Sequence, residues 1–322
     1  MRSPAFWNAG GWPAKLLSPL SAVGAVITAQ RVARPGWTAP VPVICCGNAT
    51  VGGAGKTTLA LDLAQRLIAR GVAVHILLRG YRGSSRGPRR VMPSDLASVA
   101  GDEALLLAAV APTWTGADRA ESARAAIAAG AEILLMDDGL QNPSLHKTLS
   151  LLVVDGATGF GNGRVLPAGP LREPVAAAAA RCRAAVLIGP DTSHAARAVG
   201  WALPVLRASL VQGPEITALA GRRAVAFTGI AIPGKFFDAL DQAGVDLVAR
   251  HSFPDHHPFT TAELIALERQ AQGAILVTTP KDAVRLPPSF RAKVTVVSVR
   301  LEWEDETAIE ALLDEALLRR AP

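Results

Sequence analysis

One stretch constrains this chain more than any other: VPVICCGNATVGGAGKTTLALDLAQRLIARG, residues 41–71. An apolar run leads into glycines, then Lys56 and Thr57, then a helical pattern that stops at Gly71. Strand, glycine loop and helix in this order define a phosphate-binding loop. They also call for a mostly parallel α/β sheet with its ligand at the carboxyl end of a strand. The loop candidates are Thr50, Val51, Gly52, Gly53, Ala54, Gly55, Lys56, Thr57 and Thr58. Gly52, Gly53 and Gly55 let the backbone fold closely around phosphate oxygens, where a Cβ would obstruct. Exposed amides and the helix N-terminus add positive potential. Lys56 is placed to reach β- and γ-phosphates, and the Thr57 hydroxyl to hold Mg²⁺. The usual spacing asks for a glycine five places before Gly55, and Thr50 stands there. Variant loops of the form xxGGxGK[ST], found in nucleotide-dependent switches and kinases, have this spacing. The partition-type branch carries a lysine just before the glycine pair; Val51 argues against it. A glycine-rich turn without a ligand is the alternative.

Beyond the loop, near-continuous apolar runs alternate with helical patterns. VAVHILLRG, AEILLMDD, LSLLVVDG and AAVLIGP read as strands; GDEALLLAAVA and ESARAAIAAG read as helices. Strands of this kind lie in a parallel sheet covered on both faces. A Gly- and Pro-rich segment, GFGNGRVLPAGPLREP, is long for a plain connection. After it the chain crosses into a second, smaller α/β unit with AILVTTPKD, KVTVVSVRL and a terminal helix from about Asp305. The expected organisation is an N-terminal apolar region over 1–35, a nucleotide-binding domain over 36–213 and a smaller α/β domain over 214–322.

Several polar clusters invite chemistry, each with a plainer alternative. ILLMDD ends a strand at Asp137 and Asp138, where a carboxylate beside the loop can bind Mg²⁺; DDG is also ordinary turn chemistry. Gln141 follows as a candidate lining group. Asp102 and Glu103 open a helix, where acids favour the dipole without any catalytic role. RGYRGSSRGPRR places Arg79, Arg82, Arg86, Arg89 and Arg90 after a strand, as a ligand-binding edge or a solvated loop. In FPDHHPFTTAEL, Thr260 and Glu263 fit a capping box, so His256 and His257 sit just before a helix. Cys45, Cys46 and Cys182 are too few and too badly spaced for a metal cluster; the first two read as core residues.

The net charge of +6 and a pI near 9.7 favour anionic partners: nucleic acid, phosphorylated substrates or an acidic membrane face. Nucleic acid is disfavoured, because only Tyr81 stands near the basic stretch to stack on bases. No run of about 18 apolar residues spans a bilayer, no signal peptide is expected, and no obligate protein partner is implied.

In order along the chain, GNATVGGAGKTT, LLRGYRG, GDEALLLA, DRAESA, MDDGLQNPSL, GRVLPAGPLREP, FTGIAIPGKFF, FPDHHPFT and TTPKDAVRL resemble one family, the tetraacyldisaccharide 4′-kinases (lipid A 4′-kinases) of Gram-negative bacteria. Two departures stand out: Thr58, where the family usually shows proline, and Pro280, where it more often has an acid. The resemblance implies a two-domain α/β kinase that moves the γ-phosphate of ATP to the 4′-hydroxyl of an acylated disaccharide 1-phosphate. It implies that Asp102 and His256 act as a catalytic pair, that Lys56, Thr57, Asp137 and Asp138 serve phosphate and Mg²⁺, and that Arg119, Gln141, Arg172 and Glu173 line the active site. The rival is a switch or assembly ATPase related through the loop alone.

On this reading Asp102 is the base, with His256 orienting it or sharing the proton. The two fall in different expected domains, so domain closure would assemble the pair. A lipid acceptor further implies a peripheral protein on the cytoplasmic face of the inner membrane. FWNAGGWPAKLLSPLSAVGAVITAQRVAR, with Phe6, Trp7, Trp12, Lys15, Arg31 and Arg34, fits an interfacial helix; an ordinary helix covering the sheet is the alternative.

Overall fold

A computed structural model describes residues 4–80 and 87–319; Tyr81, Arg82 and Arg86 lie outside them. Among the described residues, thirteen strands form two sheets. β1 (Val43–Gly47), β2 (Val74–Leu78), β3 (Arg89–Arg90), β4 (Thr113–Thr115), β5 (Ile133–Asp137), β6 (Leu149–Asp155), β7 (Ala184–Ile188), β8 (Val205–Gln212) and β13 (Val299–Trp303) make a nine-stranded sheet of order β13-β8-β7-β6-β1-β5-β2-β4-β3. β9 (Arg223–Thr228), β10 (Asp246–Ser252), β11 (Ile275–Thr278) and β12 (Val294–Val296) make a four-stranded sheet of order β10-β9-β11-β12. The architecture is the expected α/β class with a large, mostly parallel sheet.

β1, β2, β5 and β7 are buried at every position, the mark of central parallel strands with helices on both faces. Cys45 and Cys46 lie inside β1 at 0 % exposure. Burial pushes the Cys45 thiol up to about 11 and that of Cys46 well above its ordinary value, so both are inert packing groups. The register sets up the site: Cys46 of β1 lies opposite Asp137 of β5. The carboxylate that ends β5 is thus delivered beside the point where β1 runs into the glycine loop.

In the smaller sheet, alternation along β9 feeds two cores. Ala224 and Ala226 pack with Phe236, Phe237 and Leu240 of the helix Pro233–Gln242. Val225 and Phe227 face the other way, onto Leu264 and Leu267 of the helix Thr261–Ala271. That helix begins with the expected capping box: Glu263 N–H donates to Thr260 Oγ1 at 3.3 Å, and Thr260 N–H to Glu263 Oε2 at 2.7 Å.

The chain forms two compact units that are not contiguous in sequence. One holds residues up to Met92, Leu107–Leu210 and Leu301 onward; the other holds Pro93–Leu106 and Val211–Arg300. The crossing near residue 210 falls close to the expected division, but two segments change sides. KVTVVSVRL, expected whole in the smaller unit, is split: Val294–Val296 joins the small sheet and Val299–Trp303 the large one. The terminal helix Glu306–Leu318 then docks on the helix Lys56–Ala69, where Arg66 and Arg70 pair with Glu310 and Arg70 with Asp314. Conversely, the segment carrying Asp102 belongs to the smaller unit.

Candidate functional site

The loop between β1 and the helix Lys56–Ala69 has left-handed glycines at Gly52 (φ +111°) and Gly55 (φ +88°). A Cβ on Gly55 would also lie 2.6 Å from Ile188 Cδ1, so glycine is needed there on two counts. The absent glycine at position 50 has a local explanation. Thr50 forms an antiparallel bridge with Leu171, and its hydroxyl accepts from Asn48 Nδ2 at 3.1 Å. Val51 N–H donates to Pro170 O at 2.8 Å and Arg172 N–H to Ala49 O at 2.7 Å. The first half of the loop is therefore extended and laced to the GPLREP segment, where side chains are tolerated. The Val51 amide is spent on Pro170 in this arrangement.

Lys56 bends back over the loop, donating to Gly52 O at 3.3 Å and lying 3.8 Å from Asp138 Oδ1. Thr57 Oγ1 donates to Asp137 Oδ2 at 2.9 Å. Thr58 is half-buried and makes no side-chain hydrogen bond among the described residues.

Asp138 turns at φ +57°, a conformation that aspartate tolerates better than most residues. Its carboxylate takes both Arg172 nitrogens, Nη1 at 2.7 Å and Nη2 at 3.0 Å. Crowding by protein would push this carboxyl up, but Lys56, Arg172 and Arg119 outweigh it and hold it below the usual aspartate value. Glu173, 3 % exposed, accepts from Gln141 Nε2 at 2.8 Å and from Arg181 Nη2 at 2.7 and 2.8 Å. Gln141 also donates to Asn48 O at 2.8 Å and accepts from Arg172 at 3.3 Å. A chain of bonds thus runs from Arg181 through Glu173, Gln141 and Arg172 to Asp138, beside the loop. Arg119 is 2 % exposed and donates to Gly116 O. Desolvation drops its guanidinium to about 10, against the pull of Asp138, so it stays charged at neutral pH.

In the smaller unit, Asp102 starts the helix Asp102–Ala108 and its Oδ2 meets His256 Nδ1 at 2.7 Å. His256 stands at φ +61°, its amide donating to Gly229 O at 3.1 Å. The expectation that these two residues belong to different domains is corrected: both lie in one unit, already bonded, and no closure between domains is needed to form the pair. His257 turns away to Glu263, 3.0 Å from both carboxylate oxygens. Glu103, next to Asp102, makes no side-chain hydrogen bond among the described residues.

Sequence reasoning missed Arg181, Asn48, Asp282 and Arg285. The last two lie in the TTPKDAVRL motif, whose Pro280 merely opens the short helix Pro280–Ala283 capped by Thr279.

An α/β sheet with a glycine loop at the end of a central strand, a threonine–aspartate contact on its rim and clustered cations beside it is the framework of a P-loop phosphotransferase. The comparisons narrow the class. The sequence matches the family model for tetraacyldisaccharide-1-P 4′-kinase over residues 13–318. It is 57 % identical to the tetraacyldisaccharide 4′-kinase of Gluconacetobacter diazotrophicus, over 98 % of each chain. It is 52 % identical to that of Gluconobacter oxydans, over 97 % of each. The crystal structure of LpxK from Aquifex aeolicus in complex with ATP superposes with a TM-score of 0.75 at 26 % identity, covering 95 % of this chain and all of that one. The chain belongs to the tetraacyldisaccharide 4′-kinase family.

Proposed function

We propose that this protein transfers the γ-phosphate of ATP to the 4′-hydroxyl of a tetraacylated glucosamine disaccharide 1-phosphate. The family supplies the acceptor. The geometric observation that carries the reading is the 2.9 Å bond from Thr57 Oγ1 to Asp137 Oδ2, which joins the loop to the end of β5. Phosphoryl transfer asks for positioning and charge neutralisation rather than covalent chemistry. The glycine half of the loop, the helix N-terminus and Lys56 would hold the triphosphate. Arg172, braced by Gln141 and paired with Asp138, would keep a second cation beside Lys56.

The donors fit Mg²⁺: Thr57 Oγ1 and the Asp137 carboxylate are hard oxygens side by side. No group of three His, Cys, Asp or Glu residues poised for a metal occurs among the described residues, so phosphate oxygens and water would complete the shell, as is usual for this ion. Bound there, Mg²⁺ would supply charge neutralisation to the transferring group. The acceptor hydroxyl would give its proton to Asp102, with His256 fixing the carboxylate.

The acceptor is a lipid, and the helix Trp12–Val32 gives the chain a means of reaching it. Its inner face is small and polar: Ser21 Oγ donates to Val165 O at 2.6 Å and accepts from Ala168 N at 3.1 Å. Its outer face carries Trp12, Leu16, Leu20, Val23, Val26 and Ile27, each more than half exposed. No helix among the described residues is long and apolar enough to cross a membrane. We infer that this stripe rests in the headgroup region of the cytoplasmic leaflet of the inner membrane. Replacing Leu16, Leu20, Val23 and Ile27 by Ser should abolish flotation with anionic vesicles; undiminished flotation refutes it.

The decisive assay for the activity is incubation with ATP, Mg²⁺ and the acylated disaccharide 1-phosphate. A bisphosphorylated lipid is the expected product. ATP hydrolysis without transfer would favour the ATPase alternative.

A further inference from the structure

We propose that Arg285 is the positioning residue of the acceptor-activating pair: it occupies one oxygen of Asp102 so that the other is presented to the substrate hydroxyl. This rests on the reading of Asp102 as the base. The Arg285 side chain is 4 % exposed. Its Nε donates to Asp102 Oδ2 at 2.8 Å and its Nη2 lies 2.7 Å from the same oxygen. An arginine fork facing a carboxylate usually spreads over both oxygens. Here both nitrogens converge on Oδ2, and His256 Nδ1 meets that oxygen too, at 2.7 Å. Among the described residues nothing donates to Asp102 Oδ1. Among the described residues, the protein contacts to this carboxylate all meet Oδ2, and we take Oδ1 as the oxygen that receives the proton.

What holds the fork in place is built deeper. Arg285 Nη1 donates to Asp282 Oδ1 at 3.1 Å and to Gly229 O at 3.3 Å. Asp282, at 0 % exposure, accepts from Thr228 Oγ1 and Thr279 Oγ1, both at 2.6 Å, and from Gly229 N at 2.8 Å. With three neutral donors in place, Asp282 is largely satisfied without the arginine, so its carboxylate serves as an anchor for Arg285. Gly229 ties the parts together, since its carbonyl also accepts from the His256 amide at 3.1 Å. A Cβ at Gly229 would lie 2.8 Å from Pro254 O, so the backbone can come this close only with glycine there. One buried guanidinium therefore links Asp282, in the short helix Pro280–Ala283, to the helix-start carboxylate Asp102 through its Oδ2.

The test is a mutant cycle in the full-length protein, assayed with ATP, Mg²⁺ and the acylated disaccharide 1-phosphate. Arg285→Met should lower kcat by about thirtyfold, within the range of an acid–base contribution, while KM for ATP moves by less than about twofold. Arg285→Lys, which keeps a cation but not the fork that reaches both Asp102 and Asp282, should recover only part of the lost kcat. In an Asp102→Asn background, Arg285→Met should add less than about threefold, because the two act as one unit. If Arg285→Met fails to fold by circular dichroism, Arg285→Gln takes its place in the same comparison. Neutral variants with wild-type kcat beside an impaired Asp102→Asn overturn the proposal and leave the base intact. So does a loss repeated in full on top of Asp102→Asn. Wild-type kcat in Asp102→Asn overturns the base and this proposal together.

Discussion

Asp102→Asn is the sharpest perturbation this structure offers. The replacement is isosteric, and its amide must orient in a known environment. Arg285 Nε donates at 2.8 Å to the position now held by Oδ2, so the amide oxygen belongs there. The NH₂ group then takes the place of Oδ1 and presents a donor to a hydroxyl that needs an acceptor. Positions and packing are kept while the capacity to take a proton is lost. A positioned base is worth ~10²–10⁴ in rate, or about 2.7–5.4 kcal/mol of barrier at ~1.36 kcal/mol per decade. None of the groups expected to hold ATP bonds to Asp102, so affinity for ATP should change by less than about twofold. The measurement is steady-state transfer to the lipid acceptor at saturating ATP, with KM for ATP taken from the same data. A kcat within about threefold of wild type would refute the assignment, as would a loss confined to KM.

Other substitutions probe the remaining parts. Lys56→Ala should weaken ATP binding and lower kcat together, read by nucleotide titration and lipid phosphorylation; unchanged affinity would remove the lysine from the phosphate site. Gly55→Ala forces a Cβ into a left-handed position 2.6 Å from Ile188 Cδ1. It should cost about 1–3 kcal/mol of local stability and reduce ATP affinity, and a melting temperature equal to wild type would contradict the strain. The backbone N–H of Thr260, then His257 and the Thr260 hydroxyl, depress the Glu263 carboxyl from 4.5 to about 2. A lowered folded-state value means that its stabilisation is fully present above pH 4.5 and is lost as pH falls through about 2. The difference in unfolding midpoint between wild type and Glu263→Gln should shrink across that window, and a constant difference would exclude the linkage.

Much of the larger unit was legible in residues 41–71, because loop geometry is local: strand, glycines, lysine and threonine interact within a few positions of one another. The capping box at Thr260 and Glu263 was legible for the same reason. The placement of Asp137 was half legible, since a strand-end acid can be read from ILLMDD, but its partner Thr57 lies 80 residues away and depends on β5 pairing with β1. Glu173 and Gln141 were expected to line the site. That they brace Arg172, with Arg181 as counter-ion, follows from the lacing of 170–172 to the loop and from nothing nearby in sequence.

Sequence by itself determined the α/β class, the phosphate loop and the identity of its chemical groups, because short-range periodicity and turn chemistry are written in neighbouring residues. Tertiary structure alone decided that the Asp102 segment joins the smaller unit, that the last strand and helix return to the larger one, and that Arg285, 183 positions away, grips Asp102. A buried guanidinium pairs with whichever carboxylates the chain crossings bring within reach, and those crossings are set by how whole sheets and helices bury their apolar faces, which no local motif encodes.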